Sequence, residues 1–274
     1  MPYLALQLKG IALGAELLIG TPEKTSNPFT QDTALVVSAV LALFTIMLGT
    51  RKHDVAEHHR GLMFAVAFES LIKLLAFVAV GLFVVYGLYD GIGDLWYSAK
   101  TAPNLEQYWE TSINWPHMIV QTCVAMMAIY TLSHQFHTTV VENTATADLR
   151  IARWALPAYL LIIAVFIVPL ALAGQLTLPS SVSPDTYVIN LPLAQGNANL
   201  AILAFLGGAS AAMALAVVAT LTISIMFSNH VLLPLLLRTR TADRPFDAFR
   251  YWTLAARRIT IVIIMLLAYF CYKL

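Results

Sequence analysis

Apolar residues fill seven stretches of this chain, at 3–20, 33–50, 62–89, 116–138, 153–175, 198–228 and 257–273, with short polar segments between them. A hydrocarbon core of ~30 Å takes about 20 apolar residues as a helix, so each stretch is a candidate membrane span. The pattern predicts a single all-α polytopic membrane domain of about seven transmembrane helices over residues 1–274. Gln7, Lys9 and Glu16 interrupt the first stretch, but it holds Gly10 and Gly14 at GxxxG spacing, which lets another helix approach closely. The sixth is 31 residues long, about 46 Å as one helix, so it must tilt, break or protrude. Its run Gly207-Gly208-Ala209-Ser210-Ala211-Ala212 predicts a close-packing face.

Polar residues that interrupt this pattern carry the functional signal. Glu69 and Lys73 lie inside the third stretch, where a central charge costs about 2.5–3.5 kcal/mol on insertion scales. Their i, i+4 spacing, acid first, puts them on one helix face where they can pair. They predict a proton relay or gate, or else a paired lock between helices. The fourth stretch ends in the polar cluster Thr131-Leu132-Ser133-His134-Gln135-Phe136-His137. That cluster marks either a helix break of the kind that forms transporter sites or the arrival of the helix at the interface.

Charge supplies sidedness. Eleven basic residues (Arg51, Lys52, Arg60, Arg150, Arg153, Arg238, Arg240, Arg244, Arg250, Arg257 and Arg258) fall on one side, and three (Lys24, Lys100 and Lys273) on the other. Loops 51–61, 139–152 and 229–256 are thereby predicted to be cytoplasmic, and loops 21–32, 90–115 and 176–197 external. Trp96, Tyr97, Tyr108, Trp109 and Trp115 read as an interfacial aromatic belt on the external side. Composition agrees, at 59% hydrophobic and 11% charged, against about 25% charged in a soluble domain. A net charge of +1 gives no field toward nucleic acid, and Cys123 and Cys271 lie in apolar stretches, so no disulfide framework is implied. Met1-Pro2-Tyr3 opens without a basic leader or cleavage site, so no signal peptide is expected.

The histidines offer a second chemistry. His53, His58 and His59 form one cluster and His134 and His137 another, as in membrane di-iron oxidases and desaturases, where imidazole suits iron. Arg51, Lys52 and Arg60 would repel a cation from the first cluster, so solvated interfacial histidines are expected in place of a metal site. No nucleophile elbow, phosphate-binding loop or dinucleotide fingerprint occurs, and no segment can build a kinase core. No enzymatic activity or cofactor is expected of this chain.

Several stretches together resemble the sodium:solute symporter family, most of all the symporter-like membrane domain of bacterial hybrid sensor histidine kinases. They are Tyr3-Leu-Ala-Leu-Gln-Leu-Lys9, Gly49-Thr-Arg-Lys-His-Asp-Val-Ala-Glu-His-His-Arg-Gly61 and Ala67-Phe-Glu-Ser-Leu-Ile-Lys-Leu-Leu-Ala-Phe77. Gln135-Phe-His-Thr-Thr-Val-Val-Glu-Asn143, Asp148-Leu-Arg150, Arg153-Trp154, Ser228-Asn229 and Leu232-Leu-Pro-Leu-Leu-Leu-Arg238 complete the set. The resemblance implies a partial LeuT-like fold of inverted repeats with a midplane site. It implies transport or sensing of a small amino acid or organic acid in the bacterial inner membrane. On that fold the first stretch resembles the third core helix and the last the ninth. The chain then looks like an internal fragment without its first two core helices, its last, or the kinase, and inactive alone.

The resemblance also implies roles residue by residue. The family's Thr-Asp before the fifth core helix falls on His53-Asp54, which gives Asp54 a coupling or gating role beside Glu69 and Lys73. The Gly-Gln-Pro break of the sixth core helix falls on the Ser-His-Gln-Phe run, making Gln135 the solute-facing amide with His134 and His137 beside it. The sodium-binding hydroxyls of the eighth core helix fall on Ala214 and Leu215. Alkyl groups cannot coordinate a hard cation, so the resemblance implies proton coupling or pure sensing in place of sodium coupling. Thr220, Thr222 and Ser224 lie further along the same stretch and are not assigned as ligands.

Overall fold

The computed structural model describes residues 2–19, 32–49, 60–106, 109, 114–136, 139–140, 146–232, 234 and 246–274. Its helices are α1 (Pro2–Ile19), α2 (Thr33–Gly49), α3 (Arg60–Phe83), α4 (Ile92–Thr101), α5 (Trp115–Thr131), α6 (Ser133–Phe136), α7 (Thr146–Thr177), α8 (Tyr187–Ala194), α9 (Ala198–Phe227) and α10 (Phe246–Lys273). The described residues contain no strand. Among the described residues five helices are long and apolar enough to cross a membrane: Pro2–Ile19, Phe64–Leu88, Ala147–Thr177, Ala198–Val231 and Leu254–Lys273. Thr33–Met47 is a shorter apolar helix. The stretch at 116–138 is divided, because α5 stops at Leu132, whose extended backbone (φ −75°, ψ 116°) separates it from α6.

Side-chain caps set several helix starts. Asp32 accepts the Leu35 amide at the start of α2, and Asn114 accepts the His117 amide at the start of α5. Between α8 and α9 the chain turns at Gly196, whose φ of 73° favours glycine. There the Asn197 amide reaches back to the Pro192 carbonyl at 2.9 Å, which closes α8. The Asn197 side chain then accepts the Leu200 amide to open α9.

Helix α9 is the hub and packs against α1, α2, α3, α8 and α10. On one flank Leu4, Leu8, Leu41, Ala212, Ala216, Ile264 and Met265 fill the space between α1, α2, α9 and α10. On the other flank Val80, Leu95, Leu170, Tyr187, Leu191 and Ala204 join α3, α4, α7, α8 and α9. Small residues permit the closest approach, since a Cβ added at Gly207 would lie 2.6 Å from Ala76 Cβ on α3. The predicted close-packing face is therefore half packing. Gly207 is buried, whereas Gly208 faces open space. The α1 pair divides the same way, with Gly14 against Phe205 and Gly10 open.

Two segments expected as loops contain helices. Within 90–115, α4 buries Leu95 and Ala99, and Trp109 folds back on it, donating to the Ala99 carbonyl at 3.0 Å and meeting Trp96 edge-on at 5.2 Å. Within 176–197, α8 buries Tyr187 and Leu191. Short helices of this kind depend on tertiary packing, which a local hydrophobic pattern does not reveal. Trp109 is thus committed to a contact within the protein, beyond the belt role expected of it.

Candidate functional site

Lys73 sits nine residues beyond Phe64 on α3, roughly 14 Å along the helix and so well inside the hydrocarbon layer. The α3 backbone at this level is held against α9, with Lys73 Cα 3.5 Å from where a Cβ at Gly207 would stand. Tyr159 of α7 also approaches α3 here. Its hydroxyl donates to the Ser70 carbonyl at 3.2 Å, and its ring centroid lies 5.8 Å from Lys73 Nζ. That distance is within the range of a cation–π contact. The pair expected between Glu69 and Lys73 is not closed: they make no N–O approach within 4.0 Å, and Lys73 takes the tyrosine face as its partner. Among the described residues, Lys273 does pair with a carboxylate, at 2.7 Å from Asp32 Oδ2.

Two cavities meet at Lys73. The smaller, about 210 Å³, is lined by Val66, Glu69, Ser70 and Lys73 of α3, Gln135 of α6, and Ala211, Ala214, Leu215 and Val218 of α9. Glu69 and Lys73, singled out as charges inside an apolar stretch, thus share one space with Gln135, Ala214 and Leu215, singled out through the resemblance. The larger, about 450 Å³, lies among α1, α3, α8 and α9, with Gln7, Lys73, Phe77, Asp185, Ile189, Phe205 and Gly208 on its walls. Lys73, Ala211 and Leu215 line both. Small-molecule sites commonly occupy 300–1,000 Å³, so the larger cavity is the one dimensioned for a whole ligand.

Asp54, His53, His58, His59 and His137 lie outside the described residues, as does the side chain of His134, whose backbone is helical. Among the described residues no group of three or more His, Cys, Asp or Glu side chains converges. Further along α9, Thr220, Thr222 and Ser224 are buried. Ser224 donates to the Arg257 carbonyl at 3.1 Å, so that hydroxyl is committed to holding α10. Thr220 Oγ1, Ser228 Oγ and Arg257 Nε are buried without a hydrogen-bond partner.

Sequence reasoning missed Gln7, Asp185, Phe205 and Gly208 as lining residues. The signal lay in the small residues Gly10 and Gly208, read as packing alone. In comparisons with protein-family models, with curated proteins and with solved structures, nothing matches this chain. What the fold itself defines is a class. The chain is a helical, multi-pass membrane protein with five helices among its described residues able to span a bilayer and charged and amide groups gathered within it.

Proposed function

We propose that this chain is the solute-handling membrane domain of a transporter or solute sensor. It is of the symporter-like kind that feeds a sensor histidine kinase, with a partial LeuT-like core in the bacterial inner membrane. The observation that carries this reading is the convergence of Glu69, Lys73 and Gln135 on one cavity beside Ala214 and Leu215. The interruption of the chain at Leu132, just before Gln135, supports it further, because broken helices supply backbone and side-chain groups to midplane sites. Coupling is to protons or absent, since the positions matching the sodium-binding hydroxyls carry alkyl groups. A cationic Lys73 at the same cavity also disfavours a second cation.

The solute is a small amino acid or organic acid, and the partners of the domain are that solute, the lipid bilayer, and any flanking helices and kinase. The test is binding of a labelled panel of such solutes by the full chain in proteoliposomes, and uptake of them by the longer parent protein that the resemblance implies. Gln135→Ala should weaken binding by about five- to tenfold, the worth of one lost hydrogen bond of about 1–1.4 kcal/mol. Uptake should be unchanged when choline replaces sodium. Unaltered affinity in Gln135→Ala would remove that amide from the site, and sodium-dependent uptake would overturn the coupling assignment.

A further inference from the structure

The larger cavity adjoins the one at Gln135, sharing Lys73, Ala211 and Leu215 with it, and its wall chemistry is uneven. Phe77, Ile189 and Phe205 supply apolar surface, and Lys73 is the basic residue on the same walls. Its side chain is midway along α3, and among the described residues no carboxylate oxygen comes within 4.0 Å of its nitrogen: Glu69, one turn earlier, lines the neighbouring cavity without closing an ion pair, and the face of Tyr159 lies 5.8 Å away. An aromatic face replaces part of the lost hydration but carries no net charge. A carboxylate entering the cavity would supply the direct ion pair that Glu69 does not close. Asp185 also lines the space, but it is exposed, and its charge is screened by water. Weakened but not abolished by that screening, its charge opposes a dianion about twice as strongly as a monoanion. Gly10 and Gly208 leave the walls open, since a Cβ built at either meets nothing within 4 Å.

We propose that this 450 Å³ cavity binds a small monocarboxylate with an apolar body, with Lys73 as its counter-ion and Phe77 and Phe205 beside the body. The inference rests on the solute-handling reading and names the chemistry of the solute.

Gly208 provides the reporter position because a side chain there points into space without a clash. The full chain would carry Gly208→Cys with Cys123→Ala and Cys271→Ala, reconstituted in vesicles, and alkylation of the new thiol by a maleimide would be followed. Benzoate is the probe, benzamide its neutral isostere and phthalate its dianionic relative. At ten times its Kd, benzoate should slow alkylation about tenfold by mass action, whereas benzamide and phthalate should leave the rate nearly unchanged. Lys73→Met should abolish the benzoate effect and Lys73→Arg should retain it. If Lys73→Met fails to stay monodisperse, the benzoate–benzamide comparison and Lys73→Arg still decide the question. Equal protection by benzamide, or benzoate protection surviving in folded Lys73→Met, overturns the proposal. Absent protection alongside Gln135-dependent solute binding also overturns it while sparing the reading above. Protection with no uptake or binding of any labelled solute upholds the compartment and removes that reading.

Discussion

Single side chains tie this bundle together where its helices end. Asp32 caps α2, accepts the Tyr269 hydroxyl at 2.6 Å and pairs with Lys273, so one carboxylate joins the start of α2 to the end of α10. Burial alone would raise its pKa. The hydrogen bonds from Lys273, Tyr269 and the Leu35 amide, with the Lys273 charge, outweigh burial and hold it below the usual range. A carboxyl depressed on folding stabilises above its unfolded pKa, about 3.9 for aspartate, and loses that contribution as pH falls through its folded value. Asp32→Asn should therefore lower the Tm of the detergent-solubilised protein by a few degrees at neutral pH, and the gap should close in acid. A gap constant from pH 7 to pH 3 would assign the loss to the cap alone. At Tyr159, removing the hydroxyl with Phe deletes the bond to the Ser70 carbonyl but leaves the ring near Lys73. Tyr159→Phe should cost about 1 kcal/mol of stability, read by thermal unfolding, with the solute affinity of the Lys73 cavity retained.

Among the elements, the contact between α3 and α9 sets the geometry of both cavities, and glycines there have opposite roles. A Cβ at Gly207 would overlap Ala76, so Gly207→Val should push the helices apart and destabilise by about 1–3 kcal/mol. Gly208→Ala meets nothing within 4 Å and gains helix propensity, about 0.5–1 kcal/mol. Equal behaviour of the two variants in thermal unfolding would contradict this assignment of faces. The adjacent glycines are identical in sequence terms; only the approach of α3 separates a packing residue from a cavity wall. Other features were legible in advance. The apolar stretches place the long helices, and i, i+4 spacing puts Glu69 and Lys73 on one face. The convergence of Gln135 with them follows from the chain break at Leu132 and the packing of α6 on α9, neither of which has a local sequence signal. The unpaired state of Lys73 was equally hidden, because a side-chain rotamer toward Tyr159 is a tertiary choice.

On the scale of the whole molecule, the bilayer decides what α9 can do. Continued by the π-helical turn that follows it, α9 forms a helical span of 34 residues from Ala198 to Val231, about 51 Å as a helix. Even at a tilt of about 40°, the upper end of what spanning helices adopt, it covers about 39 Å along the membrane normal. The hydrocarbon core is ~30 Å thick, so tilt alone leaves roughly 9 Å that must project beyond it. The middle of α9 cannot be the projecting part, because Ala212, Ala216 and Ala219 are locked against α1, α2 and α10. The excess therefore falls at the ends, at the turn after Asn197 and at the π-helical turn Ser228–Leu232, where Asn229 is half-buried and His230 exposed. Hydrogen exchange of the full chain in lipid nanodiscs should show fast exchange at Ser228–Leu232 and strong protection from Ala212 to Leu221. Uniform protection through His230 would mean that the bilayer thickens around α9, and thinning the lipid tails by a few carbons would then expose that turn. Fast exchange at Ala216–Leu221 instead would mean that the hub is open in lipid, and both cavities built against it would go with it.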